Sequence, residues 1–275
     1  MRNMDAGAQP TEAARALLAF WRAAGVDMDE AEAVYAAAPA PAAASARPAA
    51  PPPPAAPRLK RSPAADSSLE NARALAAAAK TISELRAAVE GFDGCALKAT
   101  ARNTVFADGA LEAEVLLLGE APGKDEDEQG TPFVGRSGQL LDRMLAQIGL
   151  DRKSNILISN TIYWRPPGNR DPTPGETLAC LPFVERLIEL TGPKLLLLTG
   201  KAAAHTVLKR EDGVMRLRGR RLNYTREGRP PINAMVMLHP AYLLRQPQQK
   251  RLAWADLLAV EAWLDELGVS RAAKP

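Results

Sequence analysis

The sequence is poor in the residues on which disulfide and metal proteins depend, with two cysteines and two histidines in 275 residues. Two cysteines cannot build a disulfide framework. There is no run of about 18 apolar residues and no N-terminal apolar stretch of the secretory kind, so neither a membrane-spanning helix nor export is expected, and a reducing cytoplasm is the expected location. A one-sided charge is lacking too: the formal surplus is +3, too small to indicate nucleic-acid binding by itself. What the chain does have is 47% apolar content, enough for a proper core.

Composition divides the chain into three. Residues 1–35 read as a helical arm, with Leu17, Leu18 and Trp21 at helical spacing. Residues 36–67 collapse to Ala and Pro, including PPPP at 51–54, and read as a disordered linker with nothing to contribute to a core. Residues 68–275 read as the folded domain, opening on a helix over 69–90. No internal repeat is evident.

Within the domain, the apolar runs EVLLLG, NILISN, KLLLLTG and INAMVML alternate with helical patterns. Strands buried on both faces read as continuous apolar runs, and intervening helices imply parallel crossovers. The expected architecture is three-layer α/β/α around a central parallel sheet of about four strands. Thr173 and Glu176 stand in capping-box register with Pro174 at the first helical position, which marks a helix start, and Ser137 is positioned to cap another.

Ligands of such sheets bind beyond the carboxyl ends of the strands, so the residues following each strand are the candidates. After the first comes GEAPGKDEDEQG. Four acidic residues follow Lys124 where a phosphate loop needs Ser or Thr, so nucleotide binding of that type is excluded, and Glu120, Ala121 and Gly123 lie in a tight turn whose backbone N–H groups can face a ligand. Phe133, between Pro132 and Gly135, is either core or a platform for a planar base. Asn160 closes the second strand with an amide that offers one acceptor and two donors, or else caps a turn. His239 ends the fourth strand before Pro240, where an imidazole can hydrogen-bond a developing anion.

Cations surround these positions. Arg136, Arg165 and Arg170 lie in the same loops, and the segment 209–229 is rich in arginine, its MRLRGRRLNY suggesting a hairpin or edge strand with Arg218, Arg220 and Arg221 exposed. Together they favour DNA or RNA as partner, with edge protection the alternative for the 209–229 cluster. Leu243 and Leu244, beside Arg245, could wedge between bases or simply start a helix.

Three blocks, GEAPGKDEDEQGTPFVGRSGQLLDRML, SNTIYWRPPGNRDPTPGE and LHPAYLLRQP, resemble in order and spacing the motifs of the family-4 uracil-DNA glycosylases, over about residues 85–267. The resemblance implies hydrolysis of the uracil–deoxyribose bond after the nucleotide is flipped from the helix. It implies that Phe133 stacks on uracil, Asn160 reads its O4 and N3–H edge, and His239 stabilises charge on O2. The backbone of Glu120, Ala121 and Gly123 would hold the base, with Glu120 walling off the C5 side, and Leu243, Leu244 and Arg245 would fill the gap left by flipping. Where other families of uracil-DNA glycosylase place an Asp to orient water this chain has Ala121, so Glu126 or a neighbouring acid is the substitute, or water traps the cationic sugar unaided.

The resemblance also implies a 4Fe-4S cluster on four cysteines, but the corresponding positions read Phe92, Cys95, Trp164 and Cys180, and phenylalanine and tryptophan cannot ligate iron. The expectation is therefore a monomeric enzyme with no cofactor acting on uracil-containing DNA, its arm either docking a protein partner or folding back on the domain. A non-catalytic reader of such DNA, or a glycosylase for another deaminated base such as hypoxanthine, are the alternatives.

Overall fold

The computed structural model describes residues 63–273; the expected arm (1–35) and all but the end of the expected linker (36–67) lie outside the described residues. The first helical segment is two helices, α1 (Pro63–Ala78) and α2 (Ile82–Gly91), and α1 begins inside the stretch read as linker. The expected single helix breaks because Thr81 caps the second, accepting the Glu84 N–H at 3.1 Å.

Six strands follow: β1 (Ala107–Gly109), β2 (Val115–Gly119), β3 (Leu157–Asn160), β4 (Leu195–Thr199), β5 (Leu222–Tyr224) and β6 (Ile232–Met237), in the order β1-β3-β2-β4-β6-β5. The inner four are parallel, as the apolar runs predict, and two short antiparallel strands close the edges. The helices after α2 are α3 (Lys124–Gln129), α4 (Arg136–Ala146), α5 (Pro174–Thr191), α6 (Gly200–Leu208), α7 (Val214–Leu217), α8 (Pro240–Arg245) and α9 (Lys250–Glu266). Helix α5 starts at its capping box: Thr173 Oγ1 accepts the Glu176 N–H at 3.3 Å while Glu176 accepts the Thr173 N–H at 2.7 Å. Helix α4 starts at Arg136 on Gly135, so Ser137 lies inside the helix rather than capping it.

Alternation along each strand sorts the core into two layers. Leu116, Leu118, Leu196, Leu198 and Val236 face α1, α2, α5 and α6, whereas Leu117, Ile158, Leu197, Met235 and Met237 face α4, α8 and α9. The architecture is the expected α/β/α sandwich.

The arginine-rich segment departs from the hairpin reading. Residues 214–217 are the one-turn helix α7, and only Leu222–Tyr224 pair as an edge strand. Arg218 turns inward: its guanidinium makes a two-pronged pair with the buried Asp256, at 3.0 and 2.7 Å, and donates to the Leu252 carbonyl. Arg221 pairs with Glu266 and lies 5.0 Å over the Trp263 ring. Arg218 braces α9 against the sheet, which corrects its reading as a DNA contact, whereas Arg220 and Arg221 remain exposed. Burial outweighs the arginine and pushes the Asp256 carboxyl up to about 6. Arg218→Ala should lower stability by about 3–5 kcal/mol, the usual result of leaving a buried partner unpaired, without changing DNA affinity of the folded protein. Thermal unfolding together with a binding isotherm would separate the two roles.

Candidate active site

Strand register assembles the site. Gly119 lies opposite Asn160 and Thr199 opposite Met237, so the carboxyl ends of β2, β3, β4 and β6 come level and deliver Glu120, Asn160, Gly200 and His239 to one rim. A cavity of about 320 Å³ opens there, lined by Glu120, Ala121, Gly123, Phe133, Asn160 and His239 among others. The sequence readings that singled out these residues converge on a single place.

Asn160 is 2% exposed, and among the described residues its amide oxygen has no hydrogen-bond partner. A buried acceptor without a partner is costly, about 1–3 kcal/mol, so a site that keeps one is built for a ligand to complete. Gly119 makes room for it. A Cβ there would come within 2.4 Å of Asn160 Oδ1 and 2.5 Å of Phe133 Cζ, and sequence reading missed this residue because its need is spatial. Gly119→Ala should therefore displace both side chains at a cost of about 1–3 kcal/mol, measurable as lost kcat/KM.

Phe133 is buried in the wall of the cavity, with its ring 5.7 Å from that of His239. Its backbone is left-handed, φ 54°, a conformation uncommon for an aromatic residue. Arg152 holds that turn, donating to the Pro132 carbonyl at 3.1 Å and the Phe133 carbonyl at 2.8 Å while pairing with Asp108 and Asp142. Nothing local in the sequence marked Arg152, which lies 19 residues away.

His239 occupies the N-cap of α8, where its Nδ1 accepts the Ala241 N–H at 3.1 Å. Burial, reinforced by the nearby Arg245 charge, lowers its pKa to about 4, so the ring is neutral at physiological pH. With Nδ1 accepting, the single proton of the neutral ring sits on Nε2, leaving that N–H to donate. Glu120 also borders the cavity, and burial with the Asp171 charge raises its carboxyl above the usual range.

Glu126 borders the cavity too, but its carboxylate is fully engaged. One oxygen accepts the Gly123 N–H at 3.0 Å, and the other accepts those of Val134 and Gly135 at 3.0 and 2.9 Å. With three backbone donors to hold, the carboxylate serves the turn rather than a water, which corrects its reading as the acid that orients water. Glu126 instead ties the 120–123 turn to the Phe133 loop.

The expected DNA-facing residues divide. Arg136 and Arg245 are exposed beside the cavity, with Leu244 half-buried between them in an adjoining groove. Arg165 donates to Asn169 Oδ1 at 2.7 Å and Arg170 pairs with Glu176, so the Pro-Pro-Gly loop braces itself. Leu243 is fully buried among the residues under α8, which corrects its reading as a wedge. A second cavity of about 620 Å³ shares Glu120, Asp171, His239 and Arg245 with the first and adds Lys201 and the exposed Met215, neither of which the sequence marked.

Residues 106–258 match the family described as the uracil DNA glycosylase superfamily. The chain is 39% identical over 158 residues to a type-4 uracil-DNA glycosylase of Archaeoglobus fulgidus, covering 56% of this chain and 78% of the relative. It is 32% identical over 177 residues to one of Thermotoga maritima, covering 63% and 90%. The chain belongs to the type-4 uracil-DNA glycosylases.

For a type-4 uracil-DNA glycosylase, the four positions tied to an iron–sulfur cluster are decisive, and they do meet in space. Phe92, Cys95, Trp164 and Cys180 lie in one buried cluster. Two of the four cannot ligate metal, and among the described residues no group of three or more His, Cys, Asp or Glu side chains is arranged to hold one. The residues present do not fit a cluster.

Proposed function

We infer that the protein is a DNA-repair glycosylase that hydrolyses the N-glycosidic bond of deoxyuridine, releasing uracil and leaving an abasic site. The observation that carries this reading is the pairing, in one cavity, of a buried amide oxygen on Asn160 without a partner among the described residues and a neutral His239 whose Nε2–H can donate.

The chemistry follows from those groups. A uridine flipped into the cavity stacks on Phe133 and offers its O4 and N3–H to the Asn160 amide, which can donate to one and accept from the other; cytosine presents the opposite pattern at both positions. As the bond from C1′ to N1 breaks, its electron pair leaves with uracil and the charge spreads to O2. His239 donates to that oxygen, where a neutral imidazole stabilises an anion without first giving up a proton to solvent. Water then adds to the cationic C1′, and its proton neutralises uracil after release. Phe133, held by Arg152, fixes the plane of the base, and the 120–123 turn, held by Glu126, supplies its edge.

The exposed Arg136 and Arg245 flank the opening where the phosphates of the flipped nucleotide would run, and the reading includes uracil-containing DNA as substrate, a monomeric enzyme and a cytoplasmic setting. No helix among the described residues is long and apolar enough to cross a membrane. The test is incubation with labelled duplexes carrying U:G, U:A, T:G or hypoxanthine, scored for free base and alkali-labile sites. Cleavage confined to the uracil strands is expected. Tight binding without cleavage would establish a reader instead, and cleavage at hypoxanthine a broader specificity.

A further inference from the structure

Three chain segments converge beneath the DNA-facing loop, and what fills that place is aromatic. Phe92 and Trp164 are buried with ring centroids 6.5 Å apart, and Phe92 meets Phe183 edge-on at 5.1 Å. The Trp164 indole N–H donates to Thr104 Oγ1 at 3.0 Å, satisfying the one polar atom it buries. Beside them lie Cys95 and Cys180, both buried and not joined in a disulfide.

The location matters more than the packing. Trp164 stands four residues after Asn160 and directly before Arg165, so it anchors the segment that leaves β3 and becomes the Arg-Pro-Pro loop. Phe92 is the C-cap of α2, and Phe183 and Cys180 belong to α5. The Val105 N–H donates to the Tyr163 carbonyl at 2.8 Å and closes the same junction. Three chain segments are therefore pinned together at the root of the loop.

We propose that this protein carries no iron–sulfur cluster and that the Phe92–Trp164–Phe183 contact takes over the bracing of the loop, making Trp164 a positioning residue for Arg165 and the rest of the DNA-facing turn. The two cysteines are left as buried, reduced thiols. The bracing rests on packing and ligand chemistry and is independent of which base the enzyme removes; only its kinetic readout rests on the uracil reading.

The first measurement is iron and acid-labile sulfide in full-length protein prepared anaerobically from iron-replete cells, with its visible spectrum and its melting temperature before and after treatment with a strong chelator. The proposal expects no stoichiometric iron, no brown chromophore and an unchanged melting temperature; a full complement of iron and sulfide, or unfolding on chelation, overturns it. The second compares Trp164→Ala and Trp164→Phe, assayed well below their melting temperatures on a uracil-containing strand. Loss of loop placement should raise KM severalfold for the alanine variant while kcat stays within about twofold, because His239 is held by a different strand and helix, and phenylalanine should restore KM. An unchanged KM in a folded alanine variant, or a fall in kcat alone, overturns the positioning role, while the iron analysis on the unmodified protein still decides the first half if the variant fails to fold.

Discussion

His239→Ala lowers kcat by about 10²–10³-fold, the usual effect of removing one preorganised donor from a developing anion, while affinity for uracil-containing DNA is retained. The reason is that the donor acts on charge that exists only as the glycosidic bond breaks, so kcat falls and ground-state binding does not. Single-turnover kinetics with saturating enzyme measure the step directly, and an unchanged rate would remove His239 from the mechanism. The pH profile checks the same assignment. A histidine with an ordinary pKa of about 6.5 would lose its acceptor role at Nδ1 and alter activity as pH falls through that value. Here the folded pKa is lowered to about 4, so His239 contributes no inflection between pH 8 and 5. The stability effect has the opposite sense from a salt-bridged histidine: between about 6.5 and 4 the unfolded chain takes up a proton that the folded one refuses, so folding weakens as the solution is acidified through that window.

Asn160→Leu removes hydrogen bonding while keeping the volume. In the closed cavity, the O4 and N3–H of uracil then face apolar surface, and two unsatisfied groups at about 1–3 kcal/mol each predict a fall in kcat/KM of about 10²–10⁴-fold. The free protein gains by the same change, because the amide oxygen that has no partner is gone. The expected signature is thus a folded variant with an equal or higher melting temperature and little activity. A variant that is both inactive and unstable would instead mean that Asn160 is a structural residue.

Much of this site is readable along the chain because its chemistry is placed by strand ends. Asn160 and His239 each close an apolar run, and parallel pairing brings such ends to one rim without further information. The capping box at Thr173 and Glu176 is likewise local, and it is found as read. What the sequence conceals is whatever depends on a partner distant in the chain. Arg218 looks like a phosphate contact among many arginines until Asp256, 38 residues on, is seen to hold it. Glu126 looks available until the Val134 and Gly135 N–H groups are seen on it. Leu243 occupies a helical position whose inward face is set only by the packing of α8 on α4, and Gly119 and Arg152 carry no signal beyond their neighbours in space.

The sheet is also a partition. Phe133 and the residues under α8 belong to the layer that carries α4 and α9, while Trp164, Phe92 and both cysteines belong to the layer on the opposite face. The two layers are separated by strands whose side chains point alternately to one or the other, and Val214 of α7 packs against both. The rings of Phe92 and Trp164 therefore lie on the opposite side of the sheet from the packing behind His239. Substitutions in the two layers should therefore perturb different properties, loop placement on the one side and stabilisation of the anion on the other.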